Sequence, residues 1–190
     1  MSTAAEAGRV RKPFPARGLA AAVAVLLIGA CFVEFGATPR AFIAAFFVSA
    51  LVAVCATDLE RRIIPNRIVL PATAVVFAAQ TALAPERAFE WAFAGIAAAS
   101  ILALPLLIAP GGMGMGDVKL ALLLGAMLGR YVWVALVVAF LAAFVAAFVI
   151  LLRHGAEGRQ RSFAFGPFLA VGAIVALLAG ERVAALYAVS

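Results

Sequence analysis

The sequence predicts an all-α fold, a polytopic transmembrane helical bundle of about seven spans, and three observations point there. Of its 190 residues 67% are hydrophobic and 13% charged, whereas soluble domains carry about 45–50% and about 25%. Mean hydropathy is +1.15. The apolar residues also fall into long runs parted by short breaks rich in Arg, Gly and Pro. One water-soluble core cannot bury such an excess, so the chain reads as an integral membrane protein.

The elements follow in chain order. Residues 1–18 form a basic lead, read as a cytoplasmic segment, and residues 19–190 a single transmembrane domain. The first apolar run, about 19–35, lacks the small-x-small cleavage pattern of a signal peptide. "LIGAC", ending at Cys31, has the form of a lipoprotein box, which chance explains in so Ala-, Gly- and Leu-rich a segment. Further runs fall at about 41–57, 68–83, 91–109, 118–128, 131–152 and 163–179. Most reach the roughly 17–20 residues a span needs, and 118–128 is the short one. Read as one helix, 118–152 would extend about 52 Å, against a hydrocarbon core about 30 Å thick. Gly129, Arg130, Tyr131 and Trp133 therefore read as an interfacial turn. Gly125-x-x-x-Gly129 suits close helix packing.

Charge sets the orientation. With the N-terminus inside, eleven of the fifteen basic residues are cytoplasmic: Arg9, Arg11, Lys12, Arg17, Arg61, Arg62, Arg67, Lys119, Arg153, Arg159 and Arg161. Arg40, Arg87, Arg130 and Arg182 remain outside, as does the C-terminus. The basic residues are scattered between apolar runs, so the net charge of +6 implies the lipid bilayer as partner and no nucleic acid.

Both aspartates then meet one membrane face. Asp58 closes the second run in "VCATDLERRIIPN", and Asp117 opens the fifth in "GGMGMGDVKL". Asp117 alone could be a helix N-cap, where a carboxylate suits the dipole. Asp58 sits at a helix C-terminus, where the dipole disfavours it, and its plain alternative is a salt bridge to Arg61 or Arg62 in a solvated loop. Together they point to chemistry. Two close carboxyls in a partly dry site share a proton. The ionised member can draw a proton from water while the protonated one polarises a peptide carbonyl. The neighbouring glycines let a substrate backbone approach closely.

Other chemistries are poorly supplied, and no metal or cofactor is expected. His154, the one histidine, is placed between the sixth and seventh runs with no triad motif around it. Cys31 and Cys55 lie near opposite faces, which excludes a disulfide or a shared zinc. The glycine stretch lacks the Gly-Lys-Ser/Thr ending of a phosphate loop. Intramembrane carboxylates also mark proton-coupled transporters. A relay needs polar groups at several depths, however, and the spans offer little beyond Gln80, Glu90, Ser49 and Ser100.

"TDLERRIIPN", then "GMGMGDVKL", then "FAFGPFLAVG", in that order over roughly residues 45–180, resemble the type IV prepilin peptidase family of membrane aspartyl proteases. The resemblance implies that Asp58 and Asp117 are the catalytic pair. It implies removal of the leader from a prepilin or pseudopilin precursor at the cytoplasmic face of the bacterial inner membrane. The scissile bond would follow a glycine and precede an apolar helix. Gly114, Gly116, Pro65, Asn66, Gly166 and Pro167 become the candidate substrate-binding border. From the residues alone, Pro65-Asn66 and Gly166-Pro167 need only break and restart helices. Longer members carry a cytoplasmic insert with paired Cys-x-x-Cys motifs and methylate the new N-terminus. This chain has neither motif nor insert, so methyl transfer is not expected, and its compactness resembles the short enzymes of tight-adherence (Flp) pili. Presenilin-like proteases share Gly-x-Gly-Asp, but Thr57 stands where they have tyrosine, and their Pro-Ala-Leu motif does not occur. A non-enzymatic pilus-assembly protein is the remaining alternative. Lys119, about 200° round a helix from Asp117, reads as a headgroup anchor.

Overall fold

In a computed structural model the described residues, 16–108, 114–154 and 164–188, form seven α-helices and no strand. They are α1 (Ala16–Phe35), α2 (Pro39–Arg61), α3 (Asn66–Leu83), α4 (Ala88–Ile108), α5 (Met115–Leu128), α6 (Val132–His154) and α7 (Gly166–Ala188). The all-α helical bundle is therefore as expected. His154 closes α6 instead of lying in the following loop. Arg9, Arg11, Lys12, Arg159 and Arg161 fall outside the described residues, as do Gly111 and Gly112.

Each break has a local cause. Gly36, at φ 65, turns the chain out of α1; the Thr38 hydroxyl donates to the Phe35 carbonyl at 3.0 Å, and Pro39 opens α2. α2 stops at Arg62, a non-glycine residue in the left-handed region (φ 54, ψ 39) whose N–H donates to the Asp58 carbonyl at 2.8 Å. Pro65 then starts α3, its carbonyl accepting from Ile68 and Val69 at 3.0 and 3.2 Å. Gly129, at φ 55, ends α5, and a short 3-10 turn (Gly129–Tyr131) leads into α6. The long apolar stretch 118–152 is thus broken where its length required a turn.

Five stretches are long and apolar enough to cross a membrane: Gly18–Phe35, Pro39–Arg61, Asn66–Leu83, Pro85–Leu106 and Met115–Arg153, the last containing α5, the turn and α6. Gly166–Gly180 is a shorter apolar helix. Leu26, Val33, Phe42, Phe93, Phe144 and Leu152 are exposed around the outside, a surface suited to lipid and not to water. The protein is an integral membrane protein.

The short helix is the central one. α5 has 14 residues, about 21 Å of rise, and is packed against α3, α4 and α7. Leu120, Ala121, Leu123, Leu124 and Gly125 are all buried in it. Walled by protein, it has no need to match the bilayer thickness. Its closest neighbour is α4, where Gly125 lies so near Gly95 that a Cβ would overlap the α4 backbone. Gly125 thus serves helix packing as expected, whereas Gly129 works as the turn residue. Gly172 of α7 approaches the Ala135 carbonyl of α6 with the same closeness.

Candidate active site

The end of α2 and the starts of α3, α5 and α7 gather at one end of the bundle. The Gly166 N–H of α7 donates to Asp58 Oδ2 of α2 at 3.1 Å. Lys119 Nζ of α5 donates to Asn66 Oδ1 of α3 at 2.9 Å. Gly116 lies against Ile64, whose Cβ would be 2.7 Å from a Cβ added to the glycine. All the residues singled out from the sequence as site candidates are in this cluster or in the helix starts that form it.

Both carboxyls are buried, Asp58 at 5% and Asp117 at 7% exposure. They come close enough that the charge of Asp58 is felt at Asp117. Asp58 belongs to the last turn of α2 and is not in a solvated loop. Its carboxylate turns to the first amide of α7, so the positive end of one helix offsets the unfavourable end of the other. Asp117 is not the N-cap. Gly114 has that position (φ -82, ψ 140), and its carbonyl accepts the Asp117 N–H at 3.0 Å. Asp117 lies in the first turn of α5, where the dipole still suits a carboxylate. Its Oδ1 is buried with no hydrogen-bond partner among the described residues. A buried acceptor left so costs about 1–3 kcal/mol, which marks it as an atom meant for a ligand, a water or a proton.

The glycines keep the carboxyls uncrowded. A Cβ on Gly114 would stand 3.2 Å from Asp117 Oδ2, and one on Gly166 would stand 2.6 Å from Asp58 Oδ2. Pro65 caps α3, and Pro167 is half-buried at the second position of α7. Lys119 departs from the headgroup-anchor expectation, because its ammonium reaches across to Asn66 and ties α5 to α3. Sequence reasoning missed that bond, the packing of Ile64 on Gly116, and Gly95 as the partner of Gly125. The quoted motifs contain Ile64, Asn66 and Lys119, but nothing in their spacing pairs them.

Other polar groups of the helices lie away from this cluster or bond within their own helix. Ser49 and Ser100 donate to carbonyls of their own helices at 2.7 and 2.8 Å. Glu90 pairs with Arg87 and accepts the Arg130 N–H, at the opposite end of the bundle. Among the described residues no group of three or more His, Cys, Asp or Glu is placed to hold a metal ion. Two carboxyls buried at one bundle end, the charge of one felt at the other, can share a proton.

Known proteins identify the family. The model of the type IV leader peptidase family matches residues 45–152, a stretch that holds both aspartates. A prepilin leader peptidase/N-methyltransferase of Bacillus subtilis (strain 168) is 30% identical over 180 residues, 94% of this chain and 71% of that protein. No solved structure matches. A chain matched over more than half its length by the family model, and aligned with such a relative over 94% of its residues, belongs to the type IV leader peptidase family.

Proposed function

We propose that the protein is an aspartic-type endopeptidase of the bacterial inner membrane that removes the leader from type IV prepilins, with Asp58 and Asp117 as its catalytic pair. The observation that carries this reading is the burial of both carboxyls at one end of the bundle, with Asp58 near enough to bear on Asp117 and both inside the family's matched segment. The name of the Bacillus subtilis relative supports prepilin as the substrate class. The excess of basic residues on the segments at the aspartate end supports a cytoplasmic site. We take residues 19–190 as one peptidase domain.

In this mechanism the pair holds one proton. The ionised carboxylate takes a proton from a water as its oxygen attacks the scissile carbonyl carbon. The protonated carboxyl gives its proton to the carbonyl oxygen, and a gem-diol forms. When the C–N bond breaks, the proton from the water goes to the leaving amine and one gem-diol hydroxyl returns its proton to the other carboxyl. One water is consumed, and one carboxylic acid and one amine are released. The Gly166 N–H fixes the Asp58 rotamer. Gly114 keeps Asp117 uncrowded, Gly116 lets Ile64 pack against the start of α5, and Pro65, Asn66 and Pro167 border the place of the substrate backbone.

The two cysteines, Cys31 on α1 and Cys55 on α2, form no Cys-x-x-Cys pair. This supports the short Flp-type reading without methyl transfer, although the relative's name includes that activity. Co-expression with a prepilin, read by gel shift and N-terminal sequencing, tests the proposal. Asp58→Asn and Asp117→Asn should each stop cleavage at unchanged membrane level, since the two carboxyls act as a unit. Normal processing by either variant rejects the pair.

A further inference from the structure

Two contacts grip the start of α5, and both come from the short connection that joins α2 to α3. Lys119 Nζ donates to Asn66 Oδ1 at 2.9 Å. Gly116 lies so close that a Cβ added to it would stand 2.7 Å from the Ile64 Cβ. A Cβ is fixed to its own backbone and cannot rotate away, so here two main chains meet and not two adaptable side-chain ends. The gripped residues flank Asp117, one position before it and two after.

The connection is tied to the other aspartate as well. It leaves α2 through Arg62, at φ 54 and ψ 39, whose N–H donates to the Asp58 carbonyl at 2.8 Å. Its far end is stiff: proline fixes its own φ, and the Pro65 carbonyl accepts from Ile68 and Val69 as α3 begins. Asn66 stands only eight residues after Asp58.

α5, by contrast, begins on Gly114, Met115 and Gly116, a stretch with little stiffness of its own. Its rotation about its axis must therefore be set by what it touches. Gly116 and Lys119 are three residues apart and share one face of the helix, the face that the connection holds. Asp117 is off that face, about 100° round from Gly116 and about 200° from Lys119. Holding the one face aims the other. We propose that the α2–α3 connection is a strap that sets Asp117 against Asp58, with Ile64 and Asn66 as positioning residues. Asn66 acts through Lys119 and α5, and it touches no reacting atom. The proposal rests on Asp58 and Asp117 being the reacting pair.

Titration with prepilin in detergent separates the two kinetic constants. Asn66→Leu and Gly116→Ala should each lower kcat about tenfold and leave KM within about twofold, because the strap places the carboxyls and does not hold the peptide. Asn66→Asp keeps an acceptor for Lys119 and should return kcat to within about threefold of wild type. A raised KM with unchanged kcat would make these residues substrate contacts and overturns the proposal, as does Asn66→Asp protein as slow as Asn66→Leu. A second readout needs no catalysis. In a Cys31→Ala, Cys55→Ala chain, spin labels are attached through Leu59→Cys and Met115→Cys, two exposed positions beside the aspartates, and their separation is read by electron paramagnetic resonance. One narrow distribution is expected, broadened by Asn66→Leu and by Gly116→Ala and narrow again with Asn66→Asp. An unchanged narrow distribution in monodisperse Asn66→Leu protein overturns the strap. A broadened distribution with undiminished kcat upholds the strap and counts against the catalytic pair instead.

Discussion

Replacing Gly166 with alanine tests the placement of Asp58 more finely than removing the carboxylate does. The new Cβ would sit 2.6 Å from Asp58 Oδ2, 3.2 Å from Cγ and 3.5 Å from Cβ, where ordinary contact begins at 3.4 Å. Rotating the carboxyl about its last bond moves Oδ2 but leaves Cγ too close. Oδ2 must therefore be displaced by about 0.8 Å and Cγ by about 0.2 Å, or the start of α7 must swing out and lose its bond to Oδ2. A misplacement of about 1 Å at a reacting group can cost about 100-fold in rate, equivalent to about 2.7 kcal/mol of barrier. Stability should suffer less. Crowding costs about 1–3 kcal/mol, partly offset by about 1 kcal/mol for alanine over glycine in a helix. The assay is the initial rate of prepilin cleavage in membranes, normalised to folded protein by size-exclusion profile and thermal melt. Gly114→Ala is the graded comparison, since its Cβ would meet Asp117 Oδ2 at 3.2 Å and require only a small adjustment. A several-fold loss is expected there. Wild-type cleavage by well-folded Gly166→Ala, or a larger loss at Gly114 than at Gly166, refutes the reasoning.

Three other outcomes are expected. Cleavage rate should follow a bell-shaped pH profile: acid protonates both carboxyls and removes the base, and alkali ionises both and removes the acid; a profile rising through a single step to a plateau contradicts a shared proton. Lys119→Met should lose the tie to Asn66, lowering stability by about 1 kcal/mol at this exposed end while the protein still inserts; Asn66→Leu should match it, and a double variant no worse than either single one identifies the bond. Gly125→Val should separate α5 from α4 and reduce folded protein severely, as measured by detergent-resistant size-exclusion recovery, because backbone atoms of Ala94 and Gly95 cannot yield.

The parts legible in the sequence were those that membrane physics writes in large letters. Runs long enough to cross hydrocarbon announced the helices, and a stretch too long for one crossing announced the turn at Gly129. Carboxylates are costly in such a chain, so two aspartates at the ends of apolar runs stood out. The central position of α5 was not legible. Leu120, Leu123 and Leu124 face protein, Leu26 and Leu152 lie exposed on the outside, and both surroundings prefer the same side chains. The Gly166 amide was equally hidden, since every residue except proline carries that donor and only the fold selects which one meets Asp58. Lys119 and Asn66 lie in separate motifs, and their union depends on how α3 and α5 align.

The far end of α5 has a say in chemistry it never touches. Glu90 grips the Arg130 amide at 3.0 Å, and Gly129 fits beneath the same carboxylate, so the helix hangs from that fastening with Asp117 twelve residues along it. Each residue of helix lowers the chain by about 1.5 Å and turns it by about 100°. The count between fastening and aspartate therefore fixes both depth and compass bearing. One residue inserted between Gly125 and Leu128 would leave every motif intact and still swing Asp117 away from Asp58, or force the Gly95 crossing apart to keep it there. The helix is a spacer of set length, and the reactive geometry is calibrated from the opposite side of the bundle.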